Sequence, residues 1–129
     1  MVRPILLLAL GAAAILIAGA SGAGALAAHR YTAEEAARGK ALYAERCATC
    51  HGDTMKDAEE APALVGARFD ATWRKAPDQL YAKIKRSMPQ DDPGTLTAAE
   101  AAEVTATILQ RNHVPLAAAG GPPSPSSRH

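Results

Sequence analysis

Cys47-Ala48-Thr49-Cys50-His51 is the stretch on which the fold turns. Two cysteines separated by two residues and followed at once by histidine form the C-x-x-C-H pattern that attaches a c-type haem. The spacing has a chemical reason. At the end of a helix each thiol can form a thioether with one haem vinyl group. The next residue then lies under the iron, where His51 can offer an imidazole nitrogen as proximal ligand. Two other uses of such a pair fit less well. A redox dithiol expects a β-α-β setting, and no strand pattern of that kind surrounds this one. A structural zinc site takes four Cys/His ligands, whereas the chain has 2 cysteines and its other histidines, His29, His113 and His129, lack zinc-site spacing.

Upstream, Thr32-Ala33-Glu34-Glu35 is a capping box, and it opens an Ala-rich helix over about 33–47. The early glutamates suit the positive end of that helix. Gly39, Leu42 and Tyr43 share one face. A glycine inside a helix costs about 1 kcal/mol relative to alanine, so Gly39 is expected where a second helix comes close. The run Gly39-x-x-Leu42-Tyr43-x-x-x-Cys47-x-x-Cys50-His51 resembles the N-terminal helix of class I c-type cytochromes, and the resemblance extends over about residues 33–114. It implies an all-α fold, three main helices and loops around one covalent haem c, with Gly39 and Tyr43 packed on the C-terminal helix.

Downstream, residues 52–76 read as a loop. Within it, Ala61-Pro62-Ala63-Leu64-Val65-Gly66 resembles the family's proximal P-x-L-x-G loop. By that resemblance the Pro62 carbonyl accepts the Nδ1 proton of His51 and orients the ligand, and Leu64 lines the haem pocket. Trp73, the single tryptophan, carries an N–H that needs a partner if buried. It serves either a haem propionate or the core. Arg74 either pairs a propionate or stays solvated.

A helix is expected from Pro77, because a proline at a helix start loses no needed N–H. Leu80, Ile84 and Met88 step by four along it, while Lys83, Lys85 and Arg86 crowd the other faces as a solvated basic face or a docking patch. Pro89 pushes Met88 out of the helical region, and Ser87-Met88-Pro89 resembles the family's distal motif. Met88 is therefore the candidate sixth ligand. Met55 is too near His51 in sequence to cross the ring, and His113 is the main rival. Asp91-Asp92-Pro93-Gly94 reads as a turn. Thr97-Ala98-Ala99-Glu100 is a second capping box. Ala101, Val104, Thr105 and Ile108 then form one stripe of a last helix that Asn112 and Pro115 end.

The two ends of the chain differ in kind. Arg3 is the only charge before His29, an apolar block runs from Ile5 to Ala20, and Ala25-Leu26-Ala27 offers a small-residue cleavage site. Residues 1–28 read as a secretory signal, with an uncleaved membrane anchor as the competing reading. Either one sets the domain, 29–116, outside the cytoplasmic membrane, in the periplasm. Residues 117–129, rich in Pro, Gly and Ser, read as a disordered tail.

With 14 basic and 13 acidic residues the chain is nearly neutral, without the basic footprint that nucleic-acid binding expects. It has 1 Phe and 1 Trp, and a domain of about a hundred residues has little core to spare. A buried haem would add the missing apolar surface. With His51 and Met88 on the iron no site is open to a substrate, so electron transfer is expected and enzymatic catalysis is not. The alternatives are a permanent haem subunit of an oxidoreductase complex and a ligand-binding or peroxidatic haem protein. The segment from Ala61 to Pro115 further resembles haem domains associated with quinoprotein alcohol dehydrogenases. Its matching features are Phe69, Trp73, Ile84-x-x-Ser87-Met88-Pro89, Pro93-Gly94-x-Leu96-Thr97 and Ile108-Leu109-x-x-Asn112-x-x-Pro115. That resemblance implies a quinoprotein dehydrogenase as electron donor and a terminal oxidase as acceptor.

Overall fold

The structure is a computed structural model that describes residues 29–56 and 61–117. The leader and all of the tail beyond Ala117 lie outside the described residues. Among the described residues there are five helices and no strand: α1 (Ala33–Arg46), α2 (Ala48–His51), α3 (Ala67–Thr72), α4 (Pro77–Ser87) and α5 (Ala98–Arg111). None of them is long and apolar enough to cross a membrane. The three main helices expected from the sequence are α1, α4 and α5.

Both capping boxes form as read. Thr32 Oγ1 accepts from the Glu35 amide at 3.2 Å while Glu35 Oε2 accepts from the Thr32 amide at 2.8 Å. Thr97 and Glu100 repeat the arrangement at the start of α5. Each box satisfies donors that the first helical turn leaves without intrahelical partners.

The centre of the molecule is the crossing of α1 and α5. Ala36, Gly39 and Tyr43 are the buried residues of α1. A Cβ placed on Gly39 would overlap the Glu103 carbonyl and Thr107 Oγ1, so only glycine allows this approach. Thr107 Oγ1 lies 2.9 Å from the Ala36 carbonyl and 3.0 Å from that of Glu103, which ties the two backbones together at the same point. The last helix is buried beyond the expected stripe. Ala102, Ala106 and Thr107 are buried along with Ala101, Val104, Thr105, Ile108 and Leu109, because α5 packs against both α1 and α4. Its small residues let backbones approach on several sides, and periodicity alone does not reveal that.

Two expectations are corrected. The segment 52–76 is not all loop: α3 lies within it and buries Phe69, at 1 % exposure one of the most enclosed side chains. Its six residues are too few to show a helical period. Ala117, assigned to the tail, instead donates its amide to the Tyr31 carbonyl at 2.7 Å, so the ordered domain closes on itself there.

Candidate haem site

α1 ends at Arg46 because Cys47 leaves the helical region, with φ −124° and ψ −35°. The one-turn helix α2 then begins, and it carries Cys50 and His51. Cys47 is half-buried against the core and Cys50 is exposed. Burial pushes the Cys47 thiol up to about 11. Gly52 closes the turn with a positive φ of 74°, a conformation that glycine adopts without a Cβ penalty. The Tyr43 hydroxyl donates to the Gly52 carbonyl at 2.8 Å, pinning the end of α2 back onto α1. The sequence reading gave Tyr43 only a packing role.

His51 Nδ1 lies 3.0 Å from the Pro62 carbonyl oxygen. A carbonyl can only accept, so Nδ1 carries the proton and Nε2 keeps its lone pair for a metal. The loop with Pro62 is itself held. Leu64 donates its amide to the Met55 carbonyl at 2.8 Å, and its own carbonyl accepts from Asn112 Nδ2 at 2.8 Å. Leu64 and Trp73 are half-buried against the core.

Met88 follows α4 directly. Its amide still donates to the Ile84 carbonyl at 3.0 Å, but its backbone is extended, with φ −124° and ψ 148°. Pro89 has the effect expected of it. Leu80 and Ile84 are buried and Met88 is half-buried, packed on the same core as Cys47, Leu64, Trp73 and Tyr81.

The family described as cytochrome c oxidase, cbb3-type, subunit III matches residues 34–106. The chain belongs to this family of c-type cytochromes. The cytochrome is 38 % identical to thiosulfate dehydrogenase from Stutzerimonas stutzeri (strain A1501) over an alignment of 80 residues that covers 54 % of this chain and 25 % of that protein. It also resembles a solved structure, the sulfane dehydrogenase SoxCD from Paracoccus pantotrophus, at 30 % identity and a TM-score of 0.54, covering 61 % of this chain and 44 % of that one. The cytochrome thus spans about a quarter of the first relative and less than half of the second.

Haem c is the cofactor that goes with this family, and the residues present fit it. The donor set is two thiols, an imidazole whose Nε2 is left free by the Pro62 contact, and a thioether. Cys47 and Cys50 would attach the group, His51 and Met88 would ligate the iron, and half-buried Leu64 and Trp73 would line it.

The two rival ligands differ from Met88 in their surroundings. Met55, with a positive φ of 61°, is 5 % exposed and belongs to the core. His113 is exposed. It helps to line an open cavity of about 670 Å³ with Lys40, Met55, Lys56 and Arg111, and none of Cys47, Cys50, His51 or Met88 borders that space. Arg74 keeps part of its side chain in solvent, at 38 % exposure, and its donors are engaged within the protein. Its Nε donates to Asp70 at 2.7 Å and its terminal NH2 to the Asn112 carbonyl at 2.7 Å, so it ties α3 to the end of α5.

Proposed function

We propose that this cytochrome is an exported, monohaem, one-electron carrier with His51 and Met88 on the iron. The observation that carries the reading is the 3.0 Å contact between His51 Nδ1 and the Pro62 carbonyl. It fixes the tautomer that leaves Nε2 as the ligand atom and raises the basicity of the imidazole. Haem iron, when bound, supplies a one-electron couple between its ferric and ferrous states. The chain's own residues do the rest. Cys47 and Cys50 hold the group covalently. Met88 offers a thioether, which favours the reduced state and raises the potential. Leu64 and Trp73, half-buried against the core, would exclude water from the ring. With His51 and Met88 both given to the iron, the site would be suited to passing electrons and not to transforming a substrate.

The leader pattern of residues 1–28 supports a periplasmic location, by export with cleavage or by an N-terminal anchor. Lys83 and Arg86 are exposed on α4, just before Met88, and Lys85 reaches towards the Gly94 carbonyl at 3.5 Å. Lys83 and Arg86, three residues apart, share a basic face on which an acidic redox partner would dock. A periplasmic dehydrogenase is the donor and a terminal oxidase the acceptor. The resemblance to haem domains of quinoprotein alcohol dehydrogenases supports a quinoprotein donor. The named relatives, thiosulfate dehydrogenase and sulfane dehydrogenase, support a donor that oxidises inorganic sulfur compounds. The short span of those relatives also favours a second reading, a permanent haem subunit of a larger oxidoreductase.

The first test is the visible spectrum of the purified protein, oxidised and reduced, with and without His51→Ala. Loss of the native spectrum in the variant is expected, and an unchanged spectrum overturns the ligand assignment. Stopped-flow reduction by substrate-loaded dehydrogenases of the two kinds then selects the donor. Elution from the cell extract as a free monomer or in a large complex separates carrier from subunit.

A further inference from the structure

Asn112 was read from the sequence as a helix end and as one position of the resemblance to quinoprotein haem domains, with no role for its side chain, yet the residue is 6 % exposed and both ends of its carboxamide are hydrogen-bonded. Its Nδ2 donates to the Leu64 carbonyl at 2.8 Å and to the Ile108 carbonyl at 2.9 Å. Its Oδ1 accepts from the Gly66 amide at 3.3 Å. The amide thus grips the loop at two points, one on each side of Val65, and binds it to the last turn of α5. The Asn112 backbone carbonyl accepts from Arg74, whose other arm holds Asp70. Gly66 precedes α3 directly and has a φ of 85°, so the chain turns sharply where Asn112 holds it.

The residues so gripped lie just after Pro62, whose carbonyl meets His51. We infer that Asn112 is a positioning residue for the iron ligand: it fixes the loop 62–66, and through it the direction of the Pro62 carbonyl and the proton on His51 Nδ1. The loop has two backbone anchors besides, the Leu64 amide on the Met55 carbonyl and the Gly66 carbonyl on the Asp70 amide, and neither engages the Leu64 carbonyl or the Gly66 amide. The planar carboxamide of Asn112 engages both, donating to the first and accepting from the second, and so fixes the orientation of the peptides between them. No aliphatic side chain can replace it, because the Leu64 carbonyl and the Gly66 amide would lose their partners. Arg74 supports the grip from outside by fixing the backbone of Asn112 itself.

The direction of the effect follows from ligand chemistry. A His51 proton shared with a well-aimed carbonyl makes the imidazole a stronger donor and favours ferric iron. Loosening the loop weakens that sharing, so the reduction potential rises and the Nδ1 proton exchanges faster with solvent. The inference rests on His51 as iron ligand. If His51→Ala retains the native spectrum, that reading fails. If His51→Ala loses it and Asn112 variants behave as wild type, only the present inference fails.

The experiment uses the full haem-loaded protein with Asn112→Ala, Asn112→Asp and Arg74→Gln. Three quantities are read: equilibrium reduction potential, exchange of the His51 Nδ1 proton in histidine-labelled protein by NMR, and exchange of the Gly66 amide. Asn112→Ala is expected to raise the potential and to speed both exchanges at least several-fold. Asn112→Asp is expected to do the same, because it sets an oxygen against the Leu64 and Ile108 carbonyls. Arg74→Gln is expected to shift all three in the same direction by less. Thr97→Ala, which removes the cap at the opposite end of α5 and not the loop, is the control for plain destabilisation: it should lower the melting temperature and leave the potential unchanged. An Asn112→Ala protein that melts early but keeps the wild-type potential and Nδ1 exchange overturns the inference. If neither Asn112 variant folds, Arg74→Gln decides alone, and wild-type values in it have the same consequence.

Discussion

Gly39 in α1 lies so close to Glu103 in α5 that a methyl group on the glycine would overlap the Glu103 carbonyl oxygen. The obstacle is backbone, which cannot rotate away as a side-chain tip can. The two helices must therefore separate to admit any Cβ, and Thr107 must give up its place beside the Ala36 carbonyl.

Gly39→Ala is accordingly expected to destabilise the protein although it improves helix propensity. The propensity gain is about 1 kcal/mol, and overpacking a well-packed contact costs about 1–3 kcal/mol. Gly39→Leu should lie at or beyond the upper end. Denaturant unfolding of the haem-loaded protein measures both. A Gly39→Ala protein more stable than wild type would show that the helices are free to part there.

Met88, Met55 and His113 separate cleanly by experiment. Met88→Ala should expose the iron to small added ligands, abolish the absorption band that a methionine sulfur gives ferric haem, and lower the potential. Met55→Ala should cost stability, about 2–5 kcal/mol for a buried methionine, and keep the band. His113→Ala should change neither property much, since the residue is exposed. Retention of the band in Met88→Ala together with its loss in either other variant would transfer the ligand role.

The parts of the site that the sequence made legible are those fixed by local chemistry. Cys47, Cys50 and His51 are adjacent, both capping boxes are four-residue patterns, and Pro89 acts on its neighbour Met88. Gly39 was legible because a helix interior tolerates glycine only for a reason. The remainder depends on contacts between residues far apart in the chain. Asn112 looks like any helix-ending residue until Leu64 and Gly66 are brought to it across the fold. Arg74 shows no partner in the sequence until the end of α5 arrives beside it. Met55 looks like a loop methionine until its burial in the core is seen. α3 is too short for its period to register, although Phe69 marks the spot.

The start of α5 should show a simple acid dependence. The Thr97 amide donates to Glu100 Oε2 at 2.7 Å, and this backbone hydrogen bond holds the Glu100 carboxyl below its ordinary value. A folded-state pKa below the unfolded one contributes stability that is present above the unfolded value and is lost as pH falls through the folded one. Thr97→Ala should cost about 1 kcal/mol at neutral pH. Glu100→Gln should flatten the acid limb of the stability curve below the ordinary range of a glutamate. Equal acid limbs in wild type and Glu100→Gln would remove the box from the account.

Tyr43 should govern part of the alkaline limb. Its hydroxyl donates to the Gly52 carbonyl at 2.8 Å, immediately after His51, and burial, ahead of any neighbouring charge, pushes the phenol up to about 12. The raised value means that the fold prefers the neutral phenol. That preference stabilises the protein fully below the unfolded tyrosine value of about 10 and is lost as pH rises through about 12. Tyr31 is shifted upward too, chiefly by burial, so Tyr43→Phe should reduce the alkaline loss without abolishing it. At neutral pH the same variant leaves the Gly52 carbonyl without its donor and should cost about 1 kcal/mol. Because Gly52 ends the turn that carries His51, amide exchange of the 47–52 segment should quicken in Tyr43→Phe while the Gly66 amide, held by Asn112, stays protected. Denaturant unfolding across the alkaline range, with exchange at neutral pH, measures all of this. An alkaline limb and a 47–52 exchange profile identical to wild type would mean that Tyr43 is core filling and nothing more.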